Sequence, residues 1–213
     1  MKAALLLLAL LHAACAAAGP PQRAWNFRVL LDDKPVGAQH FVLTADGDER
    51  EMRIDAQFEV KLLFLTVYRY AHSATERWRG DCLQGIDATT DDNGERFRIE
   101  SFRTDGQLAV RTTTAKGSRD ERIDGCALSF AYWNPALLQQ TRLLNSQTGA
   151  YERVAIVDLG ATTITVRGQP ASAHHYRIDG LKNPVELWYS DTGDWLALQA
   201  RVAGGRRLYY ELQ

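Results

Sequence analysis

The chain is short of cysteine, of long apolar runs and of charge imbalance, and each shortage excludes a class of function. Of its 3 cysteines, Cys15 lies in the N-terminal leader and only Cys82 and Cys126 remain beyond it. That pair lacks the C-x-x-C spacing of common zinc sites, so no metal site is expected. Two cysteines in an exported chain are expected to close one disulfide. After the leader, no apolar stretch approaches the roughly 20 residues that a spanning helix needs. With 25 basic against 26 acidic residues the net charge is −1, and that balance points neither to nucleic acid nor to an anionic membrane surface. The sequence has no G-x-S-x-G elbow, H-E-x-x-H, P-loop or dinucleotide fingerprint, so no cofactor is expected and the reading leans away from an enzyme. Ser129, beside an aromatic cluster, is by itself no evidence of a nucleophile.

The leader is what the N-terminus does contain. Met1-Lys2, a Leu/Ala run from Ala3 to Leu11 and small residues ending in Ala16-Ala17-Ala18 form the charged, apolar and cleavable parts of a signal peptide over residues 1–18. The expected address is the periplasm. Cys15 offers a competing one, lipid attachment, but a lipobox wants Leu three residues earlier, where His12 stands. Residues 19–213 contain no Pro/Gly/Ser-rich linker and read as one domain with its own core.

Apolar–polar alternation dominates that domain. Trp25, Phe27, Val29 and Leu31 share one side of the first segment; Phe58, Val60, Leu62, Phe64, Tyr68, Tyr70 and His72 share one side of another. The same period recurs in RFRIESF, QLAVRTTT, ATTITVRG, HHYRIDG and RRLYYELQ, the mark of half-buried strands. Turn signals such as LDDKPVG, ADGD, DDNG, TDG, SDTGD and AGG separate them, so neighbours are antiparallel hairpins. Met52–His72 is too long for one straight strand and reads as a bent strand or two strands sharing a corner. One short helix is expected near 134–145, with Asn134 as N-cap and Pro135 at N1. About 10–12 strands exceed what an open sheet carries without curling. The fold class is therefore all-β: an antiparallel meander curled into a barrel, or a half-open barrel whose inner face the helix covers, in preference to a two-sheet sandwich.

Candidate chemistry is sparse. TTDDNGERFRIE, Thr89 to Glu100, mimics a calcium loop, but Thr89 stands where an Asp is needed and the flanks are strands, so DDNG is read as a hairpin turn. His72 and Glu76 fall on one face of an unbroken strand with Tyr70 and Trp78, where Glu76 could orient His72 as a general base; a turn at Ser73-Ala74 would separate them. His174 and His175 point to opposite faces and cannot chelate one ion together. In FAYWNP, Phe130 and Tyr132 share one strand face and Ala131 and Trp133 the other. Tying Cys126 to Cys82 would bring Trp133 near Trp78. The candidate ligand-binding set is Tyr70, His72, Glu76, Trp78, Tyr132, Trp133, Asn134 and Trp188.

WNFRV at 25–29, LDDKPVG with Phe41, FEVK at 58–61, YRYAH at 68–72, ERWRG at 76–80, FAYWNP, LLNSQTG at 143–149 and LWY at 187–189 together resemble the proteobacterial domain of unknown function 6134 family. Asp33 departs from the Gly expected in its first turn. The resemblance spans nearly the whole exported part and implies an exported single-domain protein; it implies no catalytic residue. The leading expectation is a periplasmic module that binds an apolar or amphipathic small molecule such as a lipid. The alternatives are an envelope structural or protein-interaction module, and an envelope enzyme using His72 and Glu76.

Overall fold

Alternating side chains favour strands, and the computed structural model, which describes residues 20–213, has fifteen of them. The expected leader, including Cys15, lies outside the described residues. Eight strands follow one another: β1 (Gln22–Leu31), β2 (Lys34–Asp46), β3 (Glu49–Leu62), β4 (Leu65–Arg79), β5 (Cys82–Asp92), β6 (Glu95–Thr104), β7 (Gln107–Thr114) and β8 (Gly117–Asp124). After β9 (Arg142–Leu144) and β10 (Tyr151–Arg153) come β11 (Ala155–Val166), β12 (Gln169–Asp179), β13 (Val185–Tyr189), β14 (Trp195–Arg201) and β15 (Arg207–Leu212). The count exceeds the expected 10–12 because the hairpins turn on very few residues and leave most of the chain to strands.

Thirteen strands form one antiparallel sheet in the order β11-β12-β13-β14-β15-β1-β2-β3-β4-β5-β6-β7-β8; β9 and β10 pair apart from it. Two meanders thus meet where β15 pairs with β1, Phe27 opposite Leu212. The terminal strands β8 and β11 do not pair with each other, so the barrel is half-open. The segment between them, residues 125–154, covers the inner face. Its Ala127, Leu128, Ala131, Trp133, Leu137, Leu143 and Leu144 share one core with Trp25, Phe41, Met52, Trp78, Ile99 and Leu108 from the sheet.

Within that segment the expected helix over 134–145 shrinks to a single 3-10 turn, Pro135–Gln139, followed by β9. Leu143 and Leu144 are both fully buried. A helix lying on the sheet would turn neighbouring side chains away from a shared face, whereas an extended strand surrounded by protein buries both. The capping residues behave as expected: Asn134 Oδ1 accepts from Ala136 N at 3.0 Å, with Pro135 in the first turn. FAYW itself is not a strand. It runs into a turn closed by Asn134 N donating to Ala131 O at 2.8 Å.

The long Met52–His72 segment is two strands joined by a tight hairpin at Leu63-Phe64. Ser73-Ala74 makes no turn and stays within β4, which keeps His72, Ala74, Glu76 and Trp78 on one buried face. In the first hairpin Asp32 and Asp33 adopt φ of 48° and 65°, the left-handed region where Gly would be unstrained. The aspartates are held there by the start of β15 and the residue before it: Asp32 binds Arg206 Nε at 2.7 Å and Arg207 N at 2.9 Å, and Asp33 pairs with Arg207. Gly37 has a different reason to be Gly. A Cβ there would lie 1.9 Å from the Gln57 carbonyl oxygen.

Cys82 and Cys126 form a disulfide across a sequence separation of 44, with Cα atoms 5.1 Å apart. Beside it Leu83 N donates to Ala127 O at 3.0 Å, so the covalent link clamps the covering segment to β5 where it leaves the sheet. Closing a loop of this length restricts the unfolded chain by about 4 kcal/mol. Replacing both cysteines by Ala is expected to lower the unfolding free energy by about that amount, read as a lower urea midpoint; an unchanged midpoint would show that the clamp contributes nothing.

Candidate functional site

The eight residues singled out in the sequence do not form one site. Glu76, Trp78, Trp133 and Asn134 lie deep in the interior near the disulfide end. Trp78 and Trp133 meet edge to face, ring centroids 5.5 Å apart, and Asn134 Nδ2 donates to Asp81 Oδ1 at 3.1 Å. These contacts pack the interior and cap the turn. Trp188 lies on the opposite face of the sheet, stacked on His175 at 4.4 Å and clustered with Ala173 and Ala197, because it alternates with the inward Leu187 along β13. Tyr132 packs on Trp195 at 5.4 Å and its carbonyl accepts from the Tyr189 hydroxyl at 2.7 Å.

His72 and Glu76 share a face but do not meet. Four residues along a strand separate them by roughly 13 Å. His72 Nδ1 instead lies 3.0 Å from the Thr90 hydroxyl oxygen, and Glu76 Oε2 accepts from the Ser129 hydroxyl at 2.9 Å. Glu76 therefore cannot orient His72 as a base. Each is 3% exposed or less, and burial acts on them in opposite senses. It pushes the Glu76 carboxyl up to about 7, against the pull of the Ser129 hydroxyl and the Trp78 indole. It brings His72 down to about 4, against a hydrogen bond with the Thr89 backbone. Between those values both are neutral, which is how two ionisable groups are accommodated in an apolar interior.

His72 and Tyr132 do border a common cavity of about 340 Å³ at the mouth of the half-barrel, with Phe130, Gln39, Gln147 and Lys182. A second, open groove of about 660 Å³ crosses strands β3 to β7; its exposed lining, such as Ala71, Ser73, Thr89 and Arg98, belongs to the outward face.

A third and larger concavity, about 920 Å³, is a notch at the turn end of β1 to β4. It exists because the β3–β4 hairpin outruns its neighbours. β2 pairs with β3 only as far as Phe58, opposite Gly37, and β5 pairs with β4 only from Tyr70, opposite Asp92. Beyond that level Glu59–Arg69 forms a two-stranded ribbon, Glu59 opposite Arg69 and Leu62 opposite Leu65, tied to β5 and the turn after it only at its foot, where Asn93 N donates to Arg69 O at 2.8 Å and the Tyr68 hydroxyl to Asp92 Oδ1 at 2.7 Å. This ribbon projects by about 15 Å at strand rise. At its foot, Val29, Ala56, Phe58 and Tyr70 form a separate small core, with Phe58 stacked on Tyr70 at 5.1 Å. The notch has an apolar lining that includes Leu31, Val36, Phe58, Val60 and Tyr70, and cationic side chains from Lys34, Lys61, Arg69 and Arg206 against one carboxylate, Glu59.

Hydrogen bonding to Arg69 holds Glu59 below the usual carboxylate range, with Lys61 at 3.5 Å adding to it. Of the eight predicted residues only Tyr70 lines this notch. The sequence signal was KLLFLTV, where four consecutive apolar residues, Leu62 to Leu65, break the period-two pattern; it had been absorbed into a strand face.

The family model described as Domain of unknown function (DUF6134) matches residues 27–213. The chain belongs to that family. No curated protein matches it. Among solved structures it is similar to the crystal structure of a beta-barrel-like protein of domain of unknown function DUF1849 from Brucella abortus, at TM-score 0.62 and 9% identity, over 93% of this chain and 98% of that one. At that identity the likeness concerns the fold alone. It agrees with the half-open barrel of this DUF6134 member.

The two buried groups make stability depend on pH from both sides. Folded Glu76 keeps its proton up to about 7 while the unfolded side chain releases it near 4.5, so stability falls as pH rises through that window and stays lower above it. Folded His72 resists protonation down to about 4 while the unfolded ring protonates near 6.5, so stability falls as pH drops through that window. The thermal midpoint is expected to be highest at about pH 5–6. Glu76→Gln should remove an alkaline-side loss of about 3 kcal/mol; a wild-type profile that rises through neutral pH would contradict the assignment.

Proposed function

We propose that the protein is an exported, non-catalytic binding module of the periplasm that takes an amphipathic anion, an apolar chain with a negatively charged head, in the notch beside the β3–β4 ribbon. The observation that carries this reading is the composition of the notch: an apolar lining that includes Leu31, Val36, Phe58 and Val60 beside four cations, of which Arg206 is paired with Asp32, and a single lining carboxylate, Glu59. Its volume of about 920 Å³ lies in the range of small-molecule sites. An acyl chain would lie on the apolar lining, and Lys34, which forms no ion pair among the described residues, would meet the head group. The leader at residues 1–18 and the disulfide between Cys82 and Cys126 support export.

A second reading, an envelope interaction module, is favoured by one observation, the solvent-facing apolar ribbon tip. Leu63 and Phe64 are 88% and 99% exposed. The enzyme reading built on His72 and Glu76 loses its support, because the two side chains bind Thr90 and Ser129 instead of each other.

The test is titration of the purified protein with a dansyl-labelled fatty acid, together with native mass spectrometry before and after organic extraction. Saturable binding at one site is expected. Lys34→Glu combined with Lys61→Glu should weaken it by about tenfold and leave binding of a neutral dansyl amide of the same chain length unchanged. Absence of saturable binding by the wild type, or equal affinity for anionic and neutral probes, would sink the proposal.

A further inference from the structure

We propose that the β3–β4 ribbon is a membrane-docking finger that inserts its tip into the surface of an anionic phospholipid bilayer. Soluble domains rarely leave contiguous large apolar side chains in water without a partner. Here Leu62, Leu63, Phe64 and Leu65, at 66%, 88%, 99% and 72% exposure, follow one another at the far end of a projecting hairpin. Leu63 holds φ of 56° at the turn, a conformation a glycine would adopt more easily. The tip carries apolar bulk in the position where a solvent-facing hairpin would carry Gly, Asn or Asp.

The shape and the charges select the occupant. The tip is convex and stands clear of β2 and β5, so it presents a wedge and no groove into which a helix or strand could lie. The nearest charges below it are Lys61, then Arg69 with Glu59 opposite it; the two long cationic side chains keep their charged ends at head-group level while the apolar tip lies deeper. Lys34 and Arg206 stand behind them in the adjoining notch; against these four cations stand two carboxylates, Glu59 paired with Lys61 and Arg69, and Asp32 paired with Arg206. The whole chain carries a net charge of −1, so this is a local cationic collar set around an apolar point. Complementarity to a surface of negative lipid head groups follows from that collar. The inference rests on the free ribbon and not on occupancy of the notch, so the fatty-acid titration does not decide it.

The test uses the purified protein with vesicles of phosphatidylcholine alone or mixed with phosphatidylglycerol. Phe64→Trp supplies the reporter, because the five native tryptophans are each 8% exposed or less. On mixing with anionic vesicles the new emission should shift to the blue and be quenched by lipids brominated in their acyl chains. Leu63→Ser with Phe64→Ser should reduce vesicle binding by about tenfold or more while the thermal midpoint stays unchanged, since neither side chain is packed. No binding to anionic vesicles would overturn the proposal, as would binding that the Ser variant leaves intact. A tip-dependent dimer in the absence of lipid, seen by sedimentation, would also overturn it and assign the tip to a second copy of the chain.

Discussion

A half-open sheet has an inner face that it cannot cover by itself, and the burial of residues 125–154 against that face is the interaction on which the rest of the structure depends. A closed small barrel fills its interior with its own side chains. Here β8 and β11 remain unpaired with each other, and the chain that crosses between them supplies Trp133, Leu137, Leu143 and Leu144 to the common core. The disulfide at Cys82 and Cys126 sets where this covering segment begins, and Asn134 sets where it turns. Burial of Glu76 follows from the same fit, because Ser129 comes from the covering segment and Glu76 from β4.

That arrangement also divides the molecule into an end that is packed and an end that is open. Near the disulfide the space between the sheet and the covering segment is filled by aromatic side chains. Towards the β1–β2 and β3–β4 turns the packing thins to the small cluster of Val29, Ala56, Phe58 and Tyr70. The notch and the ribbon both lie at that end. Residues that pack the covered interior and residues that line the notch and ribbon are thus separated along the strand direction.

Most of the fold was legible because period-two alternation survives wherever one face is buried, and Gly, Asn and Asp mark the hairpins. The covering segment was less so. NPALLQQTRLLN carries helical spacing, yet full burial around Leu143 and Leu144 overrides local preference. The site was hardly legible. Large aromatics such as Trp78, Trp133 and Trp188 drew attention by size, but they pack a core and an outer sheet face. Lys34, Lys61, Arg69 and Arg206 come from three separate stretches of sequence, and only the unequal lengths of β2, β3, β4 and β5 bring them around one notch. Unequal length is a property of strand register, which alternation alone does not encode.

The pairing of β1 with β15 has a consequence for how the molecule is assembled. Phe27 faces Leu212, so the first strand finds its second neighbour only in β15, the strand furthest from it along the described residues. Until then β1 is a bare edge, and the left-handed turn at Asp32-Asp33 lacks the arginines that hold it. The protein is therefore a late-closing fold, with the high contact order that makes long-range sheets slow to form. A chain that loses β15 leaves two unjoined meanders where the intact sheet is continuous.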